Sequence, residues 1–244
     1  MILFLLFFTN IFIISLLYVN MKHINIVFIS VILALLIFLV SCTNNNYIEA
    51  TGNFHTHTLA SFDSNETYEA IIDEAGKLGF DFIVITDHNE IDENIKEKCL
   101  NEKRLLCIQG LEITPFKGHI VVVDFGKDDK ETAIDPKTKP EEVIKQIHNA
   151  GGIAIAAHPL AENGGFTLEE ISKLNFDAME CYIPRNKQQF PAIKPCVYSS
   201  DAHNAEQLKD AFSVCKVEDK NGNKKVAVEE IKNAVKDGNC KKAE

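Results

Sequence analysis

Positive charge is scarce in this sequence, and arginine is scarcest of all. The 244 residues include 25 Lys plus Arg, of which only Arg104 and Arg185 are arginines, against 35 Asp plus Glu. Lys22 is the single charged residue among the first 41, so residues 42–244 carry 24 basic and 35 acidic groups and a net charge of −11. Such a negative field repels phosphate backbones. We therefore expect neither a long nucleic-acid partner nor a polybasic surface that binds membranes.

Motifs of several common enzyme classes are also missing. The sequence contains no Walker loop, no Rossmann glycine pattern and no nucleophilic Ser or Cys elbow, so a hydrolytic reaction would use water as its nucleophile. No C-x-x-C spacing suggests a zinc ribbon or a redox pair. Six cysteines follow Cys42, and an oxidising compartment would permit disulfides among them, but the sequence assigns no pairs.

The first 41 residues are almost wholly apolar. Two stretches, Ile2–Val19 and Ile24–Val40, each approach the length that spans a bilayer. The second begins just after a methionine and a lysine and ends in a small residue before Cys42, which is the layout of a signal segment. Its last residues resemble the lipobox of bacterial lipoproteins, in which the cysteine becomes lipidated after cleavage.

Two interpretations of this segment remain open. In the first, Cys42 is a lipid attachment site and Met21 is the true start of translation; in the second, the segment is a plain hydrophobic anchor. Because positive residues prefer the cytoplasm, both place the remaining chain at the cell membrane on its extracytoplasmic side. We accordingly divide the chain into a signal or anchor segment (1–41), a polar tether (42–50) and one domain (51–244).

Within the domain, apolar runs rich in β-branched residues alternate with helix-like segments. This alternation predicts an α/β fold with a mostly parallel sheet covered on both faces. About seven strands in about 200 residues suit a small barrel better than two domains. The predicted strands are Gly52–His55, Phe80–Thr86, Leu105–Ile113, His119–Phe125, Ile153–Ala157, Ala178–Ile183 and Cys196–Ser199, and the predicted helices are Glu66–Leu78, Glu90–Lys103, Pro140–Ala150, Leu168–Leu174, Ala205–Ala211 and Val226–Val235.

Histidines concentrate at the ends of these apolar runs. Of the seven beyond residue 50, only His148 lies within a helical pattern. The carboxyl ends of parallel barrel strands form one rim with the loops that follow, so residues far apart in sequence converge there. A single histidine at a strand end is more often structural, but six of them with acids alongside indicate a metal site. The six are His55, His57, His88, His119, His158 and His203.

Spacing adds detail to this site. Residues two apart in an extended segment face the same side and can reach one ion. His119 opens its run instead of closing it, but an antiparallel return from the preceding turn would place it beside Glu112. The pairs that the two-residue spacing brings together are His55 with His57 and Asp201 with His203.

Taken together, these residues resemble the ordered motifs of the PHP (polymerase and histidinol phosphatase) superfamily of metal-dependent phosphoesterases. The resemblance covers about residues 51–238 and implies a distorted seven-stranded (β/α) barrel with two or three divalent metal ions. Histidine and carboxylate ligands without thiolate suit Zn, Mn or Fe. The motifs are His55-Thr56-His57, Thr86-Asp87-His88, Gly110-Leu111-Glu112, His119, His158-Pro159 and Asp201-Ala202-His203.

The resemblance also implies a role for each residue. Glu112 would bridge two ions and, with Asp201, would be catalytic, whereas Asp87 is expected to orient a ligand and not to bind metal itself. The first ion would be held by His55, His57, Glu112 and Asp201, the second by Glu112, His119 and His158, and the third by Asp63, His88 and His203.

The expected activity is hydrolysis of a small phosphate ester or nucleotide by a metal-activated water. Arg185 follows a predicted strand on the rim side and would bind a phosphate oxygen, with an ordinary surface position as the alternative. Two other functions remain open: an amidohydrolase-type hydrolase, which often has a bridging lysine where this chain has Glu112, and a non-catalytic metal-binding lipoprotein. A storage site would be closed by protein ligands, whereas a catalytic site keeps an open position.

Overall fold

A computed structural model describes residues 46–89, 91–115, 117–125 and 138–244. The predicted signal or anchor segment (1–41), Met21 and Cys42 lie outside these ranges. Within the ranges, no helix has the length and apolar character needed to cross a membrane.

Eleven strands and five α-helices build the described part of the domain. The strands are β1 (Tyr47–Asn53), β2 (Phe82–Ile85), β3 (Leu106–Ile113), β4 (Ile120–Val123), β5 (Ile153–Ala156), β6 (Ala178–Glu180), β7 (Tyr182–Ile183), β8 (Gln188–Gln189), β9 (Cys196–Val197), β10 (Ser213–Glu218) and β11 (Cys240–Lys242), and the helices are α1 (Tyr68–Lys77), α2 (Glu93–Asn101), α3 (Pro140–Asn149), α4 (Leu168–Lys173) and α5 (Val228–Lys236).

Nine of these strands form one sheet in the order β11-β10-β1-β2-β3-β4-β5-β6-β9. The two ends of this order, β11 and β9, contact each other, so the sheet is a nearly closed barrel. β1, β2 and β3 are parallel neighbours, as are β5, β6 and β9, whereas β4 runs antiparallel to both β3 and β5. β7 and β8 form a separate antiparallel hairpin.

The central strands are buried on both faces. In β4, Val121 and Val123 belong to the core inside the barrel, whereas Ile120 and Val122 belong to the core beneath α3 and α4. This alternation follows from the two-residue period of a strand. A third core lies between β2, α1 and α2, and α5 packs its apolar face against the core inside the barrel. Helices thus surround the sheet, and its loops are left to form the site.

The structure corrects several predictions. The barrel sheet has nine strands and not seven, because β10 and β11 extend it beyond β1. β1 begins at Tyr47, so residues 47–50 of the predicted tether are part of the sheet, where they pair with β10. The predicted strand Ala178–Ile183 is divided between β6 and β7, and the predicted helix Ala205–Ala211 is a 3-10 helix over Ala205–Lys209.

Three disulfides join six of the seven cysteines. One joins α2 to β3, one joins the residue after β6 to β9, and one joins the paired strands β10 and β11. The bonds are Cys99–Cys107, Cys181–Cys196 and Cys215–Cys240.

Candidate metal centre

Three carboxylates lie near or beyond the carboxyl ends of barrel strands. Glu112 near the end of β3 and Glu180 at the end of β6 are both buried, and the segment after β9 leads to Asp201. His119 lies in the turn just before β4. His158 lies two residues after the end of β5. All nine side chains predicted to bind metal lie in this region, in three clusters whose candidate ligand atoms lie within 4.8 Å of one another.

Glu112 is shared between two sets of histidines. It is 1% exposed, and its two carboxylate oxygens face different partners. Oε1 lies 2.8 Å from His119 Nδ1 and 3.0 Å from His158 Nε2. Oε2 lies 3.2 Å from His55 Nε2 and 3.3 Å from His57 Nε2. The predicted approach of His119 to Glu112 is confirmed, because β3 and β4 pair antiparallel across the turn.

Two buried partners fix the tautomers of His55 and His57. His55 Nδ1 donates to the Glu180 carboxylate at 3.0 Å. The Ser61 hydroxyl donates its proton to Asp87 at 2.9 Å, so it accepts from His57 Nδ1, also at 2.9 Å. Both histidines therefore present the lone pair of Nε2 to the centre of the site.

When both imidazoles are neutral, as metal binding requires, these lone pairs face each other without a hydrogen between them. His55 Nε2 and His57 Nε2 are 3.1 Å apart, and each lies 3.4 Å from Asp201 Oδ1. With the facing Glu112 oxygen, four acceptors converge in a buried volume, which is unfavourable unless a cation lies among them. A divalent ion with nitrogen and oxygen ligands fits this donor set, as it fits the group around Glu112 Oε1.

A third cluster lies nearer the surface. Asp63 Oδ2 lies 3.0 Å from His203 Nε2 and 3.2 Å from His88 Nε2. His203 Nδ1 donates to the backbone carbonyl of Asp201, which leaves its Nε2 as an acceptor toward Asp63. His88 Nδ1 is buried without a hydrogen-bond partner, although it lies 3.2 Å from a Glu112 oxygen. An unpaired buried nitrogen is costly, and a bound cation would remove that cost.

Electrostatics also favour a cation. Burial by itself lowers the pKa of His55, but the carboxylates of Glu112, Asp201 and Glu180 outweigh it and hold that pKa well above its usual value. Burial raises the pKa of Glu112, yet His55 and the histidines bonded to it hold the Glu112 pKa well below its usual range. The pKa of Asp201 is lowered in the same way. The carboxylates therefore stay charged at neutral pH and attract positive charge.

One positioning residue was not predicted. Glu180 is 3% exposed, and besides His55 it accepts from the backbone N–H of His158 at 2.6 Å. It thus orients two candidate ligands without being one of the clustered groups. The sequence does contain a signal for this role. Glu180 lies two residues after Ala178, on the same inward face of a run whose other residues are apolar. Asp87, predicted to orient a ligand, does so through Ser61.

An open pocket of about 400 Å³ lies over the clusters. Its walls include the candidate ligands His119 and Asp201 and, from the loop after β7, Arg185. Arg185 is 80% exposed, and its guanidinium lies 3.5 Å from Asp201 Oδ2. The structure therefore places Arg185 at the mouth of the site, where the sequence predicted it. Arg104 instead bonds Asp73 and Glu102 at the surface, away from the pocket.

Several solved structures share this fold. PsfC from Pseudomonas syringae matches 80% of this chain and 91% of its own, with a TM-score of 0.64 and 14% identity. A two-domain protein from Bacteroides vulgatus containing a predicted PHP-like metal-dependent phosphoesterase matches 81% of this chain and 65% of its own, at TM-score 0.60 and 16% identity. The lesion-specific endonuclease EndoQ from Pyrococcus furiosus matches 80% and 58%, at TM-score 0.58 and 14% identity. This chain thus spans less than two thirds of the last two.

Sequence comparison gives the family. An uncharacterised protein of Methanocaldococcus jannaschii is 31% identical over 121 residues, which are 49% of this chain and 68% of that protein. The model of the PHP domain matches residues 53–197, which include seven of the nine predicted metal ligands, all except Asp201 and His203. Since that match covers more than half of the sequence, the chain belongs to the PHP domain family.

Proposed function

We propose that this protein is a metal-dependent phosphoesterase that hydrolyses a small phosphate ester or nucleotide. The observation that carries the proposal is the position of Glu112, whose two oxygens face two separate histidine groups beneath an open pocket. A carboxylate in that position can bridge two ions. The family and the absence of a nucleophilic Ser or Cys elbow in the sequence support water as the nucleophile.

Different residues of the chain would bind the metal ions, orient the ligands and bind the substrate. The three clusters would hold two or three divalent ions, of Zn, Mn or Fe. Such ions, when bound, lower the pKa of a water and neutralise the oxygens of the phosphoryl group. Glu180 and Asp87 keep His55 and His57 in the tautomers that a metal requires. Arg185, which lines the pocket, would bind a phosphate oxygen that does not react.

The pocket favours catalysis over metal storage. Candidate ligands from all three clusters line it, among them Asp63, Glu112 and Asp201. A storage site surrounds its ion with protein ligands, whereas a catalytic site leaves a position open for water and substrate. A small substrate suits the pocket better than a long nucleic acid, because the chain is acidic.

The test compares Glu112→Ala with Glu49→Ala in the full-length protein, purified in detergent and loaded with Mn or Zn. Glu49 is an exposed carboxylate of β1 and serves as the matched control. Loss of an oriented ligand partner alone costs about 10- to 100-fold, so Glu112→Ala should lower phosphoester hydrolysis by about 100-fold or more. Metal binding without hydrolysis of any phosphate ester would contradict the proposal and favour an amide hydrolase or a metal carrier.

We also propose that the domain is held at the membrane on its extracytoplasmic side, through a lipid on Cys42 or through the segment 1–41. Disulfides persist in oxidising compartments and are rare in the cytosol. The three disulfides use every cysteine of the chain except Cys42, the cysteine at the lipobox-like position. This division between paired cysteines and Cys42 supports the lipoprotein interpretation.

Fractionation of a bacterial host tests this proposal. The wild-type protein should incorporate labelled fatty acid and sediment with membranes, and Cys42→Ser should abolish the labelling. Retention of Cys42→Ser in the membrane would indicate a helical anchor in place of a lipid. A wild-type protein in the cytosolic fraction with reduced cysteines would contradict both interpretations.

A further inference from the structure

Phe62 is a large apolar side chain in an unusual position. It is 83% exposed, more than any other large apolar side chain in the described part of the chain. It lies between Ser61, which holds His57, and Asp63, which lies beside His88 and His203. A single exposed phenylalanine is common on protein surfaces. Phe62, however, lies in a loop that also carries a candidate metal ligand, Asp63, so its exposure calls for a functional explanation.

One face of Phe62 is already occupied. Its ring stacks on the ring of His88, with centroids 4.7 Å apart and planes inclined by 20°. His88 in turn lies 4.7 Å from His57, and His57 lies 4.4 Å from His203. Phe62 therefore ends a row of four rings that starts among the candidate metal ligands. Because His88 holds its inner face, the exposed area of Phe62 includes its outer face.

Two other exposed apolar side chains belong to the loop of Phe62 or to the pocket. Leu59, in the same loop as Phe62, is 57% exposed, and Leu160, which lines the pocket, is 47% exposed. The pocket of about 400 Å³ offers more room than a phosphate group needs. Candidate metal ligands line the pocket, whereas Leu160 on its wall and Phe62, stacked on the lining residue His88, are apolar. A substrate that matches both has an anionic group and a flat apolar group at opposite ends.

We propose that Phe62 stacks against the base of a nucleotide and so selects nucleoside phosphates among phosphate esters. The inference rests on the proposed phosphoesterase function and specifies its substrate class. A ring on the outer face of Phe62 is separated from His88, the nearest candidate metal ligand in this row, by the ring of Phe62. The substrate ring must therefore be connected to its phosphate by a spacer. A ribose provides that spacer, whereas phenyl phosphate carries its ring directly on the ester oxygen.

The experiment compares two esters that differ only in the base. Metal-loaded full-length protein is assayed with adenosine 5′-monophosphate and with ribose 5-phosphate, and binding of each is measured by calorimetry. The variants are Phe62→Leu, which keeps an apolar group against His88, and Phe62→Trp, which keeps an aromatic face. Leu100→Ala is the control, since Leu100 is also exposed but lies on α2.

We expect Phe62→Leu to weaken binding of the nucleotide by about tenfold, because the variant loses the stacking of the base on an aromatic ring. Its KM for the nucleotide should rise accordingly, with kcat and the kcat/KM for ribose 5-phosphate changed by less than about twofold. Phe62→Trp should retain the nucleotide preference, and Leu100→Ala should match the wild type.

Two results would overturn the inference. An equal loss for both esters in Phe62→Leu would show that Phe62 only positions His88, and no change for either would show that it makes no contact. Failure of the phosphoesterase proposal is a separate outcome, because neither ester would then be hydrolysed by the wild type. The calorimetric preference for the nucleotide over ribose 5-phosphate would still decide the role of Phe62.

Discussion

At the scale of single residues, the candidate centre depends on groups that hold its ligands as much as on the ligands. Glu180 fixes the tautomer of His55 through one carboxylate oxygen and the backbone of His158 through the other. Glu180→Gln keeps the size of the side chain but replaces one oxygen with a donor. If that donor faces His55 Nδ1, the His55 proton must move to Nε2, and its lone pair no longer faces the centre.

We therefore expect Glu180→Gln to weaken metal binding by about 10- to 100-fold, as measured by competition with a chelator. The fold should persist, with an unchanged circular dichroism spectrum. Glu49→Gln, on the exposed face of β1, is the control and should bind metal normally. Normal affinity in Glu180→Gln would mean that packing alone orients His55.

The raised pKa of His55 predicts how the chelator-treated protein responds to pH. A group whose pKa is raised by folding contributes stability below its unfolded pKa, about 6.5, and that contribution is lost as the pH rises through its folded value. The melting temperature of chelator-treated protein should thus fall as the pH rises above the unfolded value of about 6.5. Glu112, with a lowered pKa, contributes throughout this range and does not offset the fall.

Metal-loaded protein should lack this fall, because a histidine that binds metal is already neutral. Thermal unfolding with and without chelator, in buffers from pH 6 to 9, measures the difference. His55→Gln should reduce the pH dependence, and the remainder should come from His57 and His158, whose pKa values are also raised. Parallel curves for loaded and chelator-treated protein would show that His55 carries no extra proton.

Single residues also show what the sequence could reveal of the site. The strand-end histidines and Glu112 were predictable because their neighbours are apolar and their positions follow from the strand period. Glu180 was harder to identify, because one acid in a short run does not show which ligands it touches. The orientation of His88 follows from contacts with Asp63 and Phe62 that only the folded chain creates.

At the scale of elements, the loop between β5 and α4 supports His119. Gly164 has φ +84°, and its carbonyl accepts from the His119 N–H at 2.6 Å. A Cβ on Gly164 would lie 2.3 Å from His119 Nε2, so Gly164→Ala must displace the ring that contacts Glu112. Gly151 has nearly the same φ, +85°, but a Cβ there meets nothing within 4 Å.

Both alanine substitutions should cost stability, because both impose an unfavourable φ. Only Gly164→Ala should also lose the ion held by the group around His119, which elemental analysis of the loaded protein would detect as a lower metal content. Equal metal content in the two variants would mean that the loop yields without moving His119.

Elements also mark the limits of prediction for the fold. The buried strands from β2 to β5 were predictable, because both of their faces are apolar. β10 was not among the predicted strands. Its sequence nevertheless alternates, because the exposed Lys216 separates the buried residues Cys215 and Val217. Pairing with β1 and β11 decides its structure, and neither contact is local in sequence. The same long-range pairing draws residues 47–50 into β1.

At the scale of the whole molecule, two disulfides lie where the barrel closes. Cys215–Cys240 joins β10 to β11, and Cys181–Cys196 joins the chain after β6 to β9, next to Glu180. Because β11 also contacts β9, the two bonds lie at opposite ends of the sheet order that meet where the barrel closes. Cys181–Cys196 is the bond nearer the candidate centre, because Cys181 directly follows Glu180 in the sequence.

Replacing either pair with serines should cost about 3 kcal/mol of unfolding free energy, because each bond closes a loop of 15 to 25 residues. The double serine variant at 181 and 196 should in addition weaken metal binding, since Glu180 loses a tethered neighbour. The variant at 215 and 240 should bind metal as the wild type does. Urea unfolding and chelator competition on both variants separate the two effects. Equal metal affinity in the two would show that the sheet holds Glu180 without the disulfide.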